Sequence, residues 1–287
     1  MTQIDIRTTV REQYGAMARA GSSCCGPSTN GCCAPAADPT ALASAIGYDA
    51  AELAKILPEG ANLGLSCGNP GAIAALQPGE VVLDLGSGAG FDAFLCGPKV
   101  GASGRVIGVD MTPDMLAKAR GNIAGYTQRT GLANVEFRMG EIEHLPVADA
   151  SVDVVISNCV INLSPDKAQV WREIARVLKP GGRVAVSDMV LLKPLPPKLA
   201  AAINAYVGCI AGASLLDDLR TMMRDAGLVK IELMPKPAYV ETLSAGDDPL
   251  YRQVRAALPD GGEPGDYVSS MDIAAKRPGP CCAPGCC

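Results

Sequence analysis

The stretch Val81-Val82-Leu83-Asp84-Leu85-Gly86-Ser87-Gly88-Ala89-Gly90-Phe91 runs from apolar residues through an acid into three glycines at alternate positions. A short apolar run of this length, bounded by glycine, reads as a parallel strand buried on both faces that turns sharply into a helix. The glycines let a ligand lie against bare backbone. A glycine-rich turn alone is shared by phosphate loops, dinucleotide folds and plain tight turns. A phosphate loop needs Gly-Lys-Ser/Thr, and here Phe91-Asp92 follows Gly90. A dinucleotide fingerprint places its third glycine three positions after the second, where this chain has Phe91. The loop suits a nucleoside cofactor with no pyrophosphate to cradle, and S-adenosylmethionine is such a cofactor. The competing reading is a purely structural turn.

Outward from this loop, strands and helices alternate, which argues for a parallel sheet covered on both faces. A helix over Phe91 to Leu95, closed by Gly97-Pro98, leads to a second strand, Arg105 to Val109. Asp110 ends it, where nucleoside-binding α/β folds hold the ribose hydroxyls with an acid, and Met111 follows. Pro113 opens a helix to about Thr130, with Thr112 as its cap. A third strand, Asn134 to Met139, precedes Gly140-Glu141-Ile142-Glu143, a turn expected at the adenine, with Glu141 accepting from its exocyclic amine and Glu143 open to a plain surface role. The fourth strand, Val152 to Ser157, delivers Asn158, Cys159 and Asn162 to the same crevice. A helix over Asp166 to Leu178, the turn Lys179-Pro180-Gly181-Gly182 and a strand from Arg183 to Val190 follow.

The flanks differ in composition. Residues 4 to 19 predict an amphipathic helix, and Gly21 to Pro39 a loop carrying Cys24-Cys25 and Cys32-Cys33. Beyond the Pro194, Pro196 and Pro197 linker come a helix from Lys198 to Ala213 with Cys209, a helix Leu215 to Ala226, a strand Leu228 to Met234, a helix near Leu250 to Leu258 and a strand Tyr267 to Ala274. The expected division is a helix and Cys-rich loop over 1–60, a cofactor domain over 61–192, a region completing the fold over 193–276, and a Cys-rich tail over 277–287. The fold class is α/β, a doubly wound and mostly parallel sheet with a smaller α+β C-terminal region.

A net charge of −5 and the absence of a Lys/Arg cluster argue against nucleic acid as a partner. The most apolar stretch, Leu199 to Leu216, is broken by Asn204, Gly208, Gly212 and Ser214, so a core helix is expected rather than a membrane span. No signal-peptide core precedes it, which predicts a cytoplasmic protein. Twelve cysteines in that compartment read as thiols, and eight fall in four adjacent pairs. With one histidine, His144, a histidine base or metal site is excluded, and the chemistry is expected at sulfur. Cys67 sits in a loop, Leu65-Ser66-Cys67-Gly68-Asn69-Pro70, which favours a functional over a packing role. Cys96, on an apolar helix, reads as core. The vicinal pairs suit a thiophilic ion or dithiol exchange rather than zinc, with an incidentally Cys-rich arm as the plain alternative.

Taken together, Leu83-Asp84-Leu85-Gly86-Ser87-Gly88, Gly108-Val109-Asp110-Met111-Thr112, Gly140-Glu141-Ile142-Glu143 and Ser157-Asn158-Cys159-Val160-Ile161-Asn162-Leu163 resemble the arsenite methyltransferases that use S-adenosylmethionine. The resemblance implies a cofactor site of Asp84, Gly86, Ser87, Gly88, Asp110, Met111, Glu141, Ile142 and Asn158. It also implies that Cys67, Cys159 and Cys209 bind trivalent arsenic as thiolates, the soft ligands such an ion selects. A further family cysteine lies in a vicinal pair, which leaves Cys24, Cys25, Cys32 and Cys33 as candidates. The implied partners are arsenite and methylated arsenicals, with thioredoxin or glutathione as reductant, and a monomeric chain is expected. Cys281, Cys282, Cys286 and Cys287 either hand over arsenic or form a dispensable tail. The readings set against this one are methyl transfer to an organic molecule and a non-catalytic metalloid-binding protein.

Overall fold

A computed structural model describes residues 6–20, 38–200, 210–237, 239–241, 249–258 and 262–279. Eight strands form one sheet in the order β3-β2-β1-β4-β5-β8-β7, with the two-residue β6 (Ser214–Leu215) pairing β5. Strand β1 (Val81–Leu85) lies between β2 (Arg105–Asp110) and β4 (Val152–Asn158), parallel to both. Val82, Leu83 and Leu85 are wholly buried, which is why the strand reads as a continuous apolar run instead of an alternating one. Strand β3 (Val135–Met139) extends the parallel sheet from β2. On the other side β5 (Leu178–Leu191) is parallel to β4, whereas β8 (Val268–Lys276) is antiparallel to both β5 and β7 (Val229–Lys236). The sheet is therefore mixed at one edge, where the described strands after residue 193 extend it.

Each face of the sheet carries its own core. One holds Ile107, Val155, Val186 and Ile273 beneath a helix spanning Lys167–Val177, whose Val170, Trp171, Ile174 and Val177 form a fully buried stripe at helical spacing. Truncating Trp171 to alanine would cost about 3–5 kcal/mol from lost burial and the cavity left behind. The opposite core joins Val82, Val106 and Ile156 to the helices Ala50–Ile56, Phe91–Val100 and Pro113–Thr130.

Three local expectations need correction. The helix after the glycine loop does not close at Gly97-Pro98 but continues to Val100. Gly97 packs so tightly on the Tyr126 hydroxyl that a Cβ there would sit 2.0 Å from it, so this glycine serves a close approach, not a stop. The turn Lys179-Pro180-Gly181-Gly182 lies within β5 as a bulge, since Val152 pairs Leu178 while Val154 pairs Arg183. The first helix spans Ile6–Ala20, and a further short helix, Pro39–Ala45, was not anticipated. The helix expected from Lys198 to Ala213 lies mostly outside the described residues, as do Cys24, Cys25, Cys32, Cys33, Cys209 and the cysteine tail. No helix among the described residues is long and apolar enough to cross a membrane.

Candidate active site

The carboxyl ends of β1, β2 and β4 open onto one cleft with about 1020 Å³ of empty space, its mouth included. Parallel strands deliver their ends to a common edge, so residues far apart in sequence converge there. Asp84, Gly86, Gly88, Asp110, Ile142 and Asn158 line it, with Ser87 and Met111 beside them. Gly86 adopts φ 64°, and a Cβ there would lie 2.4 Å from Val160, so both conformation and space require glycine. The Gly88 amide donates to Asp110 Oδ2 at 2.9 Å and the Thr112 amide to Oδ1 at 2.8 Å. Each Asp110 oxygen keeps a lone pair for a hydroxyl donor.

The cleft is acidic. Burial pushes Asp84 well above the usual carboxylate range, reinforced by the neighbouring charges of Asp92 and Asp110. Burial also raises Asp92 and Asp110, while hydrogen bonds from Tyr48 and Asn158 pull Asp92 back and the backbone N–H groups of Thr112 and Gly88 do the same for Asp110. Asp84 Oδ2 and Ser87 Oγ are buried without a hydrogen-bond partner. Unsatisfied acceptors against an open cleft are what a bound polar cation would relieve. A cofactor carrying a ribose, an adenine and a cationic sulfonium fits these residues: Asp110 for the ribose, Ile142 and Met111 for the flat base, and the buried acids for the positive charge.

Glu141, expected at the adenine, is not among the cleft-lining residues and pairs with Arg7 and Arg11 of the first helix, at 3.7 and 3.4 Å. Glu143, which a surface role would also have suited, is 3% exposed, lines the cleft, accepts from Ser164 Oγ at 2.6 Å and pairs with Arg7 at 3.2 Å. The turn Glu141 to His144 is tied by a bridge between its ends, and both of its glutamates reach Arg7. His144 is not among the cleft residues.

Beyond Asn158 the cleft reaches sulfur. Cys159 lines it in the left-handed conformation, φ 55°, uncommon for a residue with a side chain. Its amide donates to Ser187 O at 2.9 Å. The expectation of free thiols is corrected at this pair, because Cys67 and Cys159 are joined in a disulfide across 92 residues. Their Cα atoms are 6.0 Å apart, a separation a disulfide spans without backbone movement. Cys96 is buried and free, and burial raises its thiol well above the usual range, as its core reading requires.

Several contacts around the sulfurs were not anticipated, among them those of Tyr48, Ser187 and Ser270. Asn158 Oδ1 accepts from the Cys67 amide at 3.1 Å, while its Nδ2 donates to Asp92 Oδ2 at 3.0 Å and Gly68 O at 2.9 Å. Tyr48 donates to Asp92 Oδ1 at 2.6 Å. Ser270 Oγ donates to Cys67 O at 3.1 Å, and Ser187 Oγ to Asp272 Oδ1 at 2.8 Å. Asn162, expected at the crevice, instead donates to Asp188 Oδ1 at 2.8 Å and Met189 O at 2.6 Å. A carboxylate oxygen of Asp188 and both sulfurs lie within 4.8 Å of one another. Burial pushes Asp188 up to about 7, partly offset by backbone N–H groups of Met189, Asn162 and Ile161. Nothing in the sequence marks Asp188, which lies inside an apolar strand, nor Tyr48 or Ser270.

A doubly wound sheet, a glycine turn with an acid across it and an acidic cleft without a phosphate cradle define a methyltransferase that uses S-adenosylmethionine. A methyltransferase domain family matches residues 76–227. An arsenite methyltransferase of Halobacterium salinarum is 46% identical over 280 residues, covering 96% of this chain and 67% of the relative. One from Aquipseudomonas alcaligenes is 41% identical over 71% of this chain, which spans 62% of that relative. The solved arsenic(III) S-adenosylmethionine methyltransferase of Chlamydomonas reinhardtii is 33% identical and superposes with a TM-score of 0.60 over 85% of this chain and 75% of that one. The chain belongs to the arsenite methyltransferase family.

Proposed function

We infer that this protein methylates trivalent arsenic, held by the thiolates of Cys67 and Cys159, at the expense of S-adenosylmethionine bound in the adjoining cleft. The observation that carries the reading is the position of Cys159, which lines the cofactor cleft and at the same time meets Cys67 in sulfur contact. When bound, the cofactor supplies a methyl group on a sulfonium, whose departing sulfur keeps the bonding pair. Asp110 holds the ribose, Asp84 and Asp92 favour the positive charge, and Asn158 fixes the Cys67 loop relative to Asp92. Reduction of the disulfide frees two thiolates that displace two hydroxyls of arsenite and hold arsenic with its lone pair available. Arsenic is then the nucleophile, so no side chain has to act as base, in keeping with the lone histidine.

Cys209 is the third thiolate of this reading, by the family resemblance. Methyl transfer leaves arsenic formally pentavalent, and two thiolates return it to the trivalent state by becoming a disulfide. The Cys67–Cys159 disulfide is the form such a step would leave if these two supply the electrons. Cys24, Cys25, Cys32 and Cys33 are the other candidate donors, with thioredoxin or glutathione resetting the pair. The protein acts as a monomer in the cytoplasm on this reading, and arsenite and methylated arsenicals are its substrates.

The test is incubation of reduced protein with arsenite, thiol and methyl-labelled cofactor, followed by separation of arsenic species. Labelled methylarsenicals support the reading. Binding of both ligands without transfer points to a metalloid-binding protein, and failure to bind arsenite points to an organic substrate.

A further inference from the structure

Asp188 is buried at 3% exposure beside the sulfur pair, yet its role is not explained by the fold. Its Oδ1 is fully engaged, accepting from Asn162 Nδ2 and the Met189 amide, both at 2.8 Å. These two bonds hold the carboxyl in one orientation. Its Oδ2 makes no hydrogen bond of ordinary geometry, the Asn162 and Ile161 amides only approaching the carboxyl. A buried carboxyl oxygen left unpaired costs stability unless something else completes it. The three groups whose atoms lie within 4.8 Å of one another are Cys67, Cys159 and Asp188, all buried.

Arsenite bound by two thiols loses two of its three oxygens. Two arsenic–oxygen bonds break, two arsenic–sulfur bonds form, and the thiol protons leave with the hydroxides as two waters. One hydroxyl remains on arsenic. Resting on the arsenic reading above, we propose that Asp188 is a substrate contact: its carboxyl hydrogen-bonds the hydroxyl that arsenic keeps while Cys67 and Cys159 hold it. The carboxyl thereby makes the two-thiolate site selective for inorganic arsenite. A monosubstituted arsenical, in which carbon occupies the third position, has no hydroxyl left once both thiolates are bound. It gains nothing from Asp188. The hydroxyl is lost only when the third thiolate, Cys209, displaces it as water.

The experiment uses the full-length reduced chain carrying Cys209→Ser, so that the hydroxyl stays, without cofactor. Equilibrium dialysis with elemental detection measures binding of arsenite and of phenylarsine oxide. Asp188→Val is expected to weaken arsenite binding roughly tenfold, the equivalent of one hydrogen bond to a charged group, and to leave phenylarsine oxide unchanged. Asp188→Asn, which keeps the shape and a hydrogen-bonding oxygen, should stay within about threefold of its parent for arsenite. Retained cofactor binding shows that each variant is folded, and a variant that loses it is replaced by Asp188→Ser in the same assay. Equal weakening of both arsenicals, or of neither, overturns the proposal by assigning Asp188 a structural role. If the parent binds phenylarsine oxide but not arsenite, the hydroxyl contact fails and the thiol site stands. If it binds neither, the thiol site itself falls, and the proposal with it.

Discussion

The two halves of the cleft are built in opposite ways. On the cofactor side, Asp84, Gly86 and Gly88 lie within five residues, and Asp110 closes on Gly88 through one hydrogen bond. On the sulfur side, Cys67 comes from a loop before the first strand, Cys159 follows the fourth strand, Asp188 lies in the fifth and Asp272 in the last. The cofactor half is local geometry, a strand turning into a helix. The sulfur half exists only because the sheet brings four distant segments to one edge. Damage should therefore separate cleanly between them, which gives ways to break the comparison.

The largest separation is expected for Cys159→Ser. Loss of the sulfur that lines the cleft should abolish methyl transfer and weaken arsenite binding, while cofactor binding by calorimetry stays within about threefold of wild type. A comparable loss of cofactor affinity would mean that the halves are one unit. Gly68→Ala should come next. A Cβ there would meet Ser187 Cβ at 2.5 Å, so the Cys67 loop must shift. Overpacking of this kind costs about 1–3 kcal/mol, and arsenite affinity should fall about tenfold with the cofactor unaffected.

The converse test is Asp110→Ala. Removing a buried, charged hydrogen-bond acceptor should weaken the cofactor by about 10- to 100-fold and leave phenylarsine oxide binding by the reduced chain intact. A variant that loses both ligands would show that the Gly88 contact supports the whole edge rather than one half.

The same contrast explains what could be read beforehand. The glycine turn, the acid after β2 and the alternation of strands and helices follow from residue spacing, so the sheet and the Asp84, Gly88 and Asp110 constellation were legible. Cys67 and Cys159 were legible as a pair only through resemblance, since no local pattern links residues 92 apart. Glu143 was harder to place than its strand-end position suggested, because its burial depends on Ser164 and Arg7, which come from distant parts of the chain. Asp188 escaped notice because an acid inside an apolar strand carries no motif. Its meaning comes from the sulfurs that tertiary structure places beside it.

The smallest expected effect concerns stability, and it sharpens the comparison from the cofactor side. Asp84 is 2% exposed, has an unpaired oxygen and is held well above the usual carboxylate range by burial and by Asp92 and Asp110. A carboxyl whose folded value lies above its unfolded one binds more protons in the folded state. Its contribution is therefore fully present at low pH and declines as pH rises above the ordinary carboxylate value toward the raised one. Asp84→Asn removes that penalty, so the cofactor-free variant should melt a few degrees higher than wild type at pH 8, with the gain shrinking toward pH 5, by the usual relation of about 2–4 °C per kcal/mol for chains somewhat smaller than this one. Cofactor affinity should fall in the same variant, because the acid that destabilises the empty cleft is the one that favours a cationic ligand. A melting gain independent of pH would assign the effect to packing. Lost affinity without a gain would mean that the empty cleft holds the Asp84 carboxylate at no cost relative to the unfolded chain, and that its role is confined to the bound cofactor.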